Sequence, residues 1–108
     1  METNGLVPLT KETLEEYISS GKPLLVDFYA EWCGPCQRLL KILPTFASAY
    51  EGRVIFGKIN VDEEPKLSAE HNVRVVPTFE FYVDKTRVEN WGGIKTLLDM
   101  KRIIDSHI

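Results

Sequence analysis

From Leu24 to Tyr29 the chain is apolar at every position but Asp27, the pattern of a strand covered on both faces. Beyond it, Gln37 to Tyr50 changes to a helical period, with Leu39, Leu40, Leu43, Phe46, Ala47 and Tyr50 forming one stripe. Pro44 interrupts that helix, removes one backbone donor and is expected to bend it. Arg53 to Val61 reads as a second buried strand carrying Lys58 and Asn60, and Pro65 to His71 as a short helix. Phe79 to Val83 is a strand, Asp84-Lys85 its turn, and Thr86 to Trp91 the antiparallel partner, ended by Gly92-Gly93. A closing helix over Ile94 to Ile108 has Ile94, Leu97, Leu98, Met100, Ile103 and Ile104 on its apolar face. Towards the N-terminus, a short strand around Leu6-Val7 precedes a helix capped by Thr10 and running to about Ser20. The resulting order, βαβαβαββα, predicts an α/β fold with a central mixed sheet and helices on both of its faces.

A chain of 108 residues is expected to form one domain, residues 1–108, around a single core. The formal net charge of -3, without a block of like charge, speaks against nucleic acid as a partner. No apolar run approaches the roughly 20 residues of a membrane span. Met1 to Pro8 lacks the basic start and apolar core of a secretory signal, so a cytoplasmic protein is expected.

Both cysteines lie in Trp32-Cys33-Gly34-Pro35-Cys36, between the first buried strand and the helix that follows. Two thiols at this spacing suggest reversible thiol–disulfide chemistry. A reading of them as two small buried apolar residues fits poorly, because they flank a Gly-Pro turn rather than a core stripe. At the start of a helix, unpaired N–H groups and the dipole favour a thiolate at Cys33. Gly34 lets the turn close, and Pro35 suits the first helical position. Asp27 is costly to bury ionised and alone, and must be paired, protonated or functional. A structural zinc site wants four ligands, and the only histidines, His71 and His107, are too widely spaced to complete one, so no metal is expected. His71 reads as a solvated surface residue. No glycine-rich phosphate loop follows a strand, so no bound cofactor is expected either.

The order of elements, the run Val26 to Cys36, Lys58 to Asp62, Val76-Pro77-Thr78 and Gly92-Gly93 together resemble the thioredoxin family over almost the whole chain. The resemblance implies the thioredoxin fold and a protein-disulfide reductase that keeps cell thiols reduced. Cys33 would attack the target disulfide and Cys36 would resolve the mixed disulfide. Asp27 would handle the proton of Cys36, with Lys58 tuning it; the alternative is a purely structural Asp27–Lys58 ion pair. Trp32 would form an apolar lip, or simply pack as a partly buried aromatic. A cis Val76–Pro77 bond, the Val76 backbone and the Gly92-Gly93 corner would bind an extended target segment. Implied partners are disulfide-containing proteins and a thioredoxin reductase that supplies electrons from NADPH, with a monomer as the default state. A scaffold role for the same fold, needing no redox cycle, is the rival reading. Several positions depart from the family pattern: Lys41 stands where its helix proline usually falls, Tyr29 where many members carry tryptophan, and Val75 at an often small site. The hairpin turn lacks a glycine, and Glu80 sets a charge inside an apolar strand.

Overall fold

The structure is a computed structural model and describes residues 5–108. Residues 1–4, part of the Met1 to Pro8 stretch that lacks the pattern of a signal, lie outside those described. A five-stranded sheet has the order β1-β3-β2-β4-β5. Its strands are β1 (Leu6–Pro8), β2 (Leu24–Tyr29), β3 (Ile55–Asn60), β4 (Thr78–Val83) and β5 (Thr86–Gly92). β1 and β2 both run parallel to β3, while β4 is antiparallel to β2 and β5 to β4. The helices are α1 (Lys11–Ser19), α2 (Gly34–Ser48), α3 (Pro65–Glu70) and α4 (Leu97–Asp105). This is the thioredoxin fold in the predicted element order.

Alternation along β2 distributes its side chains between two cores. Leu25 joins Leu39, Leu43, Phe79, Phe81, Met100 and Ile104, so α2 and α4 cover one face. Leu24, Val26 and Phe28 join Leu14 and Leu67, so α1 and α3 cover the other. β2 is buried at all six positions, which explains its near-continuous apolar run.

Local chemistry moves several boundaries. α2 begins at Gly34 rather than Gln37, because Cys33 is its N-cap and Pro35 occupies the first turn without wasting a donor. It continues through Pro44, and within its stripe Leu40 and Phe46 are only partly buried. α4 starts at Leu97 because the Thr96 side chain accepts the Asp99 N–H. Ile94 therefore precedes the helix, and it and Leu98 face outwards instead of joining the core. The β4–β5 turn has both central residues left-handed, Asp84 at φ 53 and Lys85 at φ 71. A two-residue hairpin of this kind matches the sheet twist, at a cost when neither residue is glycine.

His71 is not a solvated surface residue. It caps the end of α3 and its Nδ1 meets both oxygens of Glu80, at 3.0 and 3.1 Å. Glu80 is 1% exposed. It also accepts from the Tyr82 hydroxyl at 2.8 Å and from Arg87 at 3.1 Å. The charge that looked misplaced in an apolar strand is satisfied on every side.

Candidate functional site

At the C-terminal end of β2, the chain turns into α2 through Trp32 and the two cysteines, which are joined as a disulfide. Cys33 is 6% exposed and Cys36 0%, so only the first sulfur is near solvent. Cys33 Sγ accepts the backbone N–H of Cys36 at 3.2 Å, a sulfur acting as helix N-cap. Gln37 Nε2 donates to the Ala30 carbonyl at 3.2 Å and ties the first turn of α2 to the end of β2. Gly34 and Pro35 are both exposed and make the outer edge of the loop.

The Val76–Pro77 bond is cis. It sets the Val76 carbonyl 3.8 Å from Cys33 Sγ, a contact and not a donation, since a disulfide sulfur carries no proton. Val76 packs against the cluster formed by Tyr29, Ala30, Cys33 and Cys36. The segment is held at both sides. Thr78 Oγ1 donates to the Val75 carbonyl at 2.6 Å, and the Gly93 N–H donates to the Pro77 carbonyl at 2.7 Å. Gly93 is left-handed at φ 91, where a side chain would be strained. At Gly92 the constraint is contact: a Cβ there would lie 2.7 Å from Cγ2 of Val75.

Asp27 lies in β2 on the face shared by Leu25 and Tyr29, the latter packed with the cysteines. It is 3% exposed, and neither carboxylate oxygen has a hydrogen-bond partner among the described residues. Burial pushes its pKa up to about 7, against the opposing pull of the Lys58 charge. Lys58 is its direct register partner on β3. Its Nζ lies 5.6 Å from the centroid of the Tyr29 ring, and the two charges make no contact within 4.0 Å. The geometry is thus a carboxyl near its ionisation point beside a more distant cation, rather than a closed ion pair.

Trp32 is 71% exposed, so it is not packed as a partly buried aromatic. Its indole N–H donates to Asp62 at 3.0 Å, which ties it to the segment after β3, and it lines a hollow with Val75 and Val76. Asp62 was not singled out from the sequence. Nothing in the local pattern joins positions thirty residues apart; only the parallel β2–β3 pairing, which sets their strand ends side by side, brings them together. Val75, exposed at the rim and resting on Gly92, was noted only as a departure. Of the residues read as a site, Trp32 to Cys36 form the redox loop, Val76 packs on its cysteines and Gly93 bonds Pro77, with Gly92 beside Val75 and Asp27 and Lys58 paired on the sheet.

Comparison with known proteins agrees with this geometry. A family model described as Thioredoxin matches residues 5–106. A thioredoxin of Buchnera aphidicola is 32% identical over 106 residues, covering 97% of this chain and 98% of the relative. One from Chlorobaculum thiosulfatiphilum is 37% identical over 93 residues, 86% of each chain. Among solved structures, a mutant thioredoxin from Halobacterium salinarum superposes with a TM-score of 0.86 at 32% identity, covering 98% of this chain and 93% of the other. A chain from work on thiol resolving in yeast mitochondrial 1-Cys peroxiredoxin via glutathione/thioredoxin systems gives 0.86 at 27% identity, with 98% and 99% covered.

Proposed function

The chain belongs to the thioredoxin family and is a thiol–disulfide oxidoreductase, and from that premise we propose how its residues divide the work. In the reduced protein, Cys33 thiolate attacks one sulfur of a target disulfide. The target S–S bond breaks, its other sulfur leaves as a thiolate and takes up a proton, and a mixed disulfide remains. Cys36 then loses its proton to Asp27 and attacks Cys33 Sγ. The target's second thiolate is expelled and the Cys33–Cys36 disulfide forms, so the target gains two electrons and the protein loses two.

The observation that carries this reading is the Cys33–Cys36 disulfide at the N-cap of α2, with Cys33 6% exposed and Cys36 fully buried. The Cys33 N-cap position, accepting the Cys36 N–H, would stabilise negative charge on the attacking sulfur. Asp27, titrating near neutral pH, can both take and return a proton at the working pH. Lys58 tunes that acidity from the neighbouring strand. The Val76 backbone, Pro77, Gly92 and Gly93 would receive an extended target segment, with Trp32 as the lip on the other side.

The chain works in this reading as one domain and a monomer in the cytoplasm, on disulfide-containing proteins, with no bound cofactor. Electrons come indirectly from NADPH through a thioredoxin reductase. No helix among the described residues is long and apolar enough to cross a membrane. Dithiothreitol-driven reduction of insulin disulfides tests the assignment. Wild type is expected to accelerate it, Cys33→Ser to abolish the acceleration, and Cys36→Ser to accumulate a mixed disulfide. A mixed disulfide trapped in Cys33→Ser, with none formed by Cys36→Ser, would reverse the two roles.

A further inference from the structure

We propose that the groove beside Pro35 is a specificity subsite for the target polypeptide, selecting a bulky apolar side chain next to an acidic one near the disulfide. The inference rests on the disulfide-exchange reading and names the substrate class that reading leaves open. The groove, of about 410 Å³, lies between the first two turns of α2 and the segment leading into α4. Leu39 lies in its floor, with Pro35, Ile42 and Ile94 as walls. Ile42 is 47% and Ile94 52% exposed, apolar area left facing water around a single concavity.

Two features join this groove to the reacting sulfur. Pro35 lies between the cysteines, so one wall is part of the redox loop itself. Ile94 follows Gly93, whose N–H holds the Pro77 carbonyl at 2.7 Å. Ile94 therefore adjoins the glycine corner that would receive a target strand.

Charge selects the occupant. Arg38 and Lys95 line the groove. Arg38 folds back over the redox loop, since a Cβ on Gly34 would meet its Nη1 at 3.5 Å. On the Trp32 side the exposed charges include Glu31, Asp62 and Glu63, offset by Arg74. A target with an acidic residue is drawn towards the Pro35 side and repelled from the other, which orients it across Cys33. A second copy of the chain is the poorer occupant. In a two-fold pairing through this groove, Arg38 and Lys95 would face their own counterparts.

The test uses synthetic peptides with one disulfide, flanked on either side in separate peptides by Leu-Glu, Leu-Lys or Ser-Glu. The protein is recycled by dithiothreitol, and neutral 2-hydroxyethyl disulfide serves as the reference. Relative to that reference, kcat/KM is expected to be about threefold higher for Leu-Glu than Leu-Lys, and about tenfold higher than for Ser-Glu. Lys95→Glu should invert the Glu-over-Lys preference, and Ile42→Ser should narrow the Leu-over-Ser ratio. Equal ratios for all three peptides on both flanks, or no inversion in Lys95→Glu, would overturn the proposal. Failure on peptides and reference alike would sink the reductase reading and the subsite with it, and the silent reference distinguishes that result.

Discussion

His71 at the end of α3 and Glu80 in the middle of β4 are joined by Nδ1 contacts of 3.0 and 3.1 Å to the two carboxylate oxygens. The hydrogen bond to Glu80 raises the His71 pKa, with burial working against it. For Glu80, burial pushes upwards, but hydrogen bonds from His71 and Tyr82 and the nearby positive charges outweigh it, and the net direction is down.

The signs of these shifts define a pH window. A raised histidine contributes its full stabilisation below its unfolded value of about 6.5 and loses it as pH climbs through the folded pKa. A lowered glutamate contributes above about 4.3 and loses it as pH falls. The cluster therefore stabilises most between about pH 4.5 and 6.5. His71→Gln is expected to remove about 2 kcal/mol at pH 5.5 and less at pH 8.5. Urea denaturation at the two pH values checks this, and an equal loss at both would contradict it.

Asp27 works in the same sense as His71 and opposite to Glu80. Its ionisation near pH 7 in the fold, against 3.8 as the ordinary value, means stability falls as pH rises from about 4 to 7. The shift sets an upper bound of about 4 kcal/mol on that loss. Asp27→Ala should therefore make the oxidised protein more stable than wild type at pH 8, by about 2–4 kcal/mol, with the difference shrinking towards pH 4. Asp27→Asn should slow the resolution of a mixed disulfide more than its formation, measured by stopped flow. Lys58→Met should move the Asp27 titration upwards, followed by its carboxyl carbon resonance; an unchanged midpoint would remove Lys58 as a tuner.

Gly92 and Val75 should behave as a coupled pair. Gly92→Ala brings a Cβ within 2.7 Å of the Val75 side chain and displaces the rim of the target groove. Insulin reduction should drop by about threefold, and Val75→Ala in the same chain should restore most of it. Additive losses in the double variant would show that the contact does not shape the groove.

The hairpin offers a stabilising change. Lys85 is left-handed at φ 71, a conformation that costs a side chain about 1–2 kcal/mol. Lys85→Gly should recover about 1 kcal/mol and raise Tm by about 4–8 °C. An unaltered Tm would mean the turn is relaxed by its neighbours.

The frame of the site was legible because its signals are local. An apolar run broken by one acid, a Cys-Gly-Pro-Cys turn and a helical stripe are each contained within fifteen residues. Glu80 shows where that ends. It could be read only as a misplaced charge, since His71 comes from a helix end and Arg87 from the next strand. α2 starts three residues before its apolar stripe is legible, because Gly34 and Pro35 carry no helical period although proline suits a first helical turn. Ile94 and Leu98 are spaced four apart but lie roughly 120° around the helix from Met100 and Ile104. The stripe over Ile94 to Ile108 is thus too wide for one buried face, and the Thr96 cap places Ile94 outside the helix altogether.

Cys33 serves two structural masters at once, as reactant and as N-cap of α2. The Cys36 amide that bonds its sulfur belongs to the helix backbone, so fraying of that first turn and acidity of that sulfur are one equilibrium seen from two ends. Any change that loosens the start of α2, even one far from the sulfurs, weakens the grip on negative charge at Cys33 and makes it a poorer nucleophile. Slow hydrogen exchange at the Cys36 amide would thus serve as a chemical gauge of reactivity, read without a substrate present.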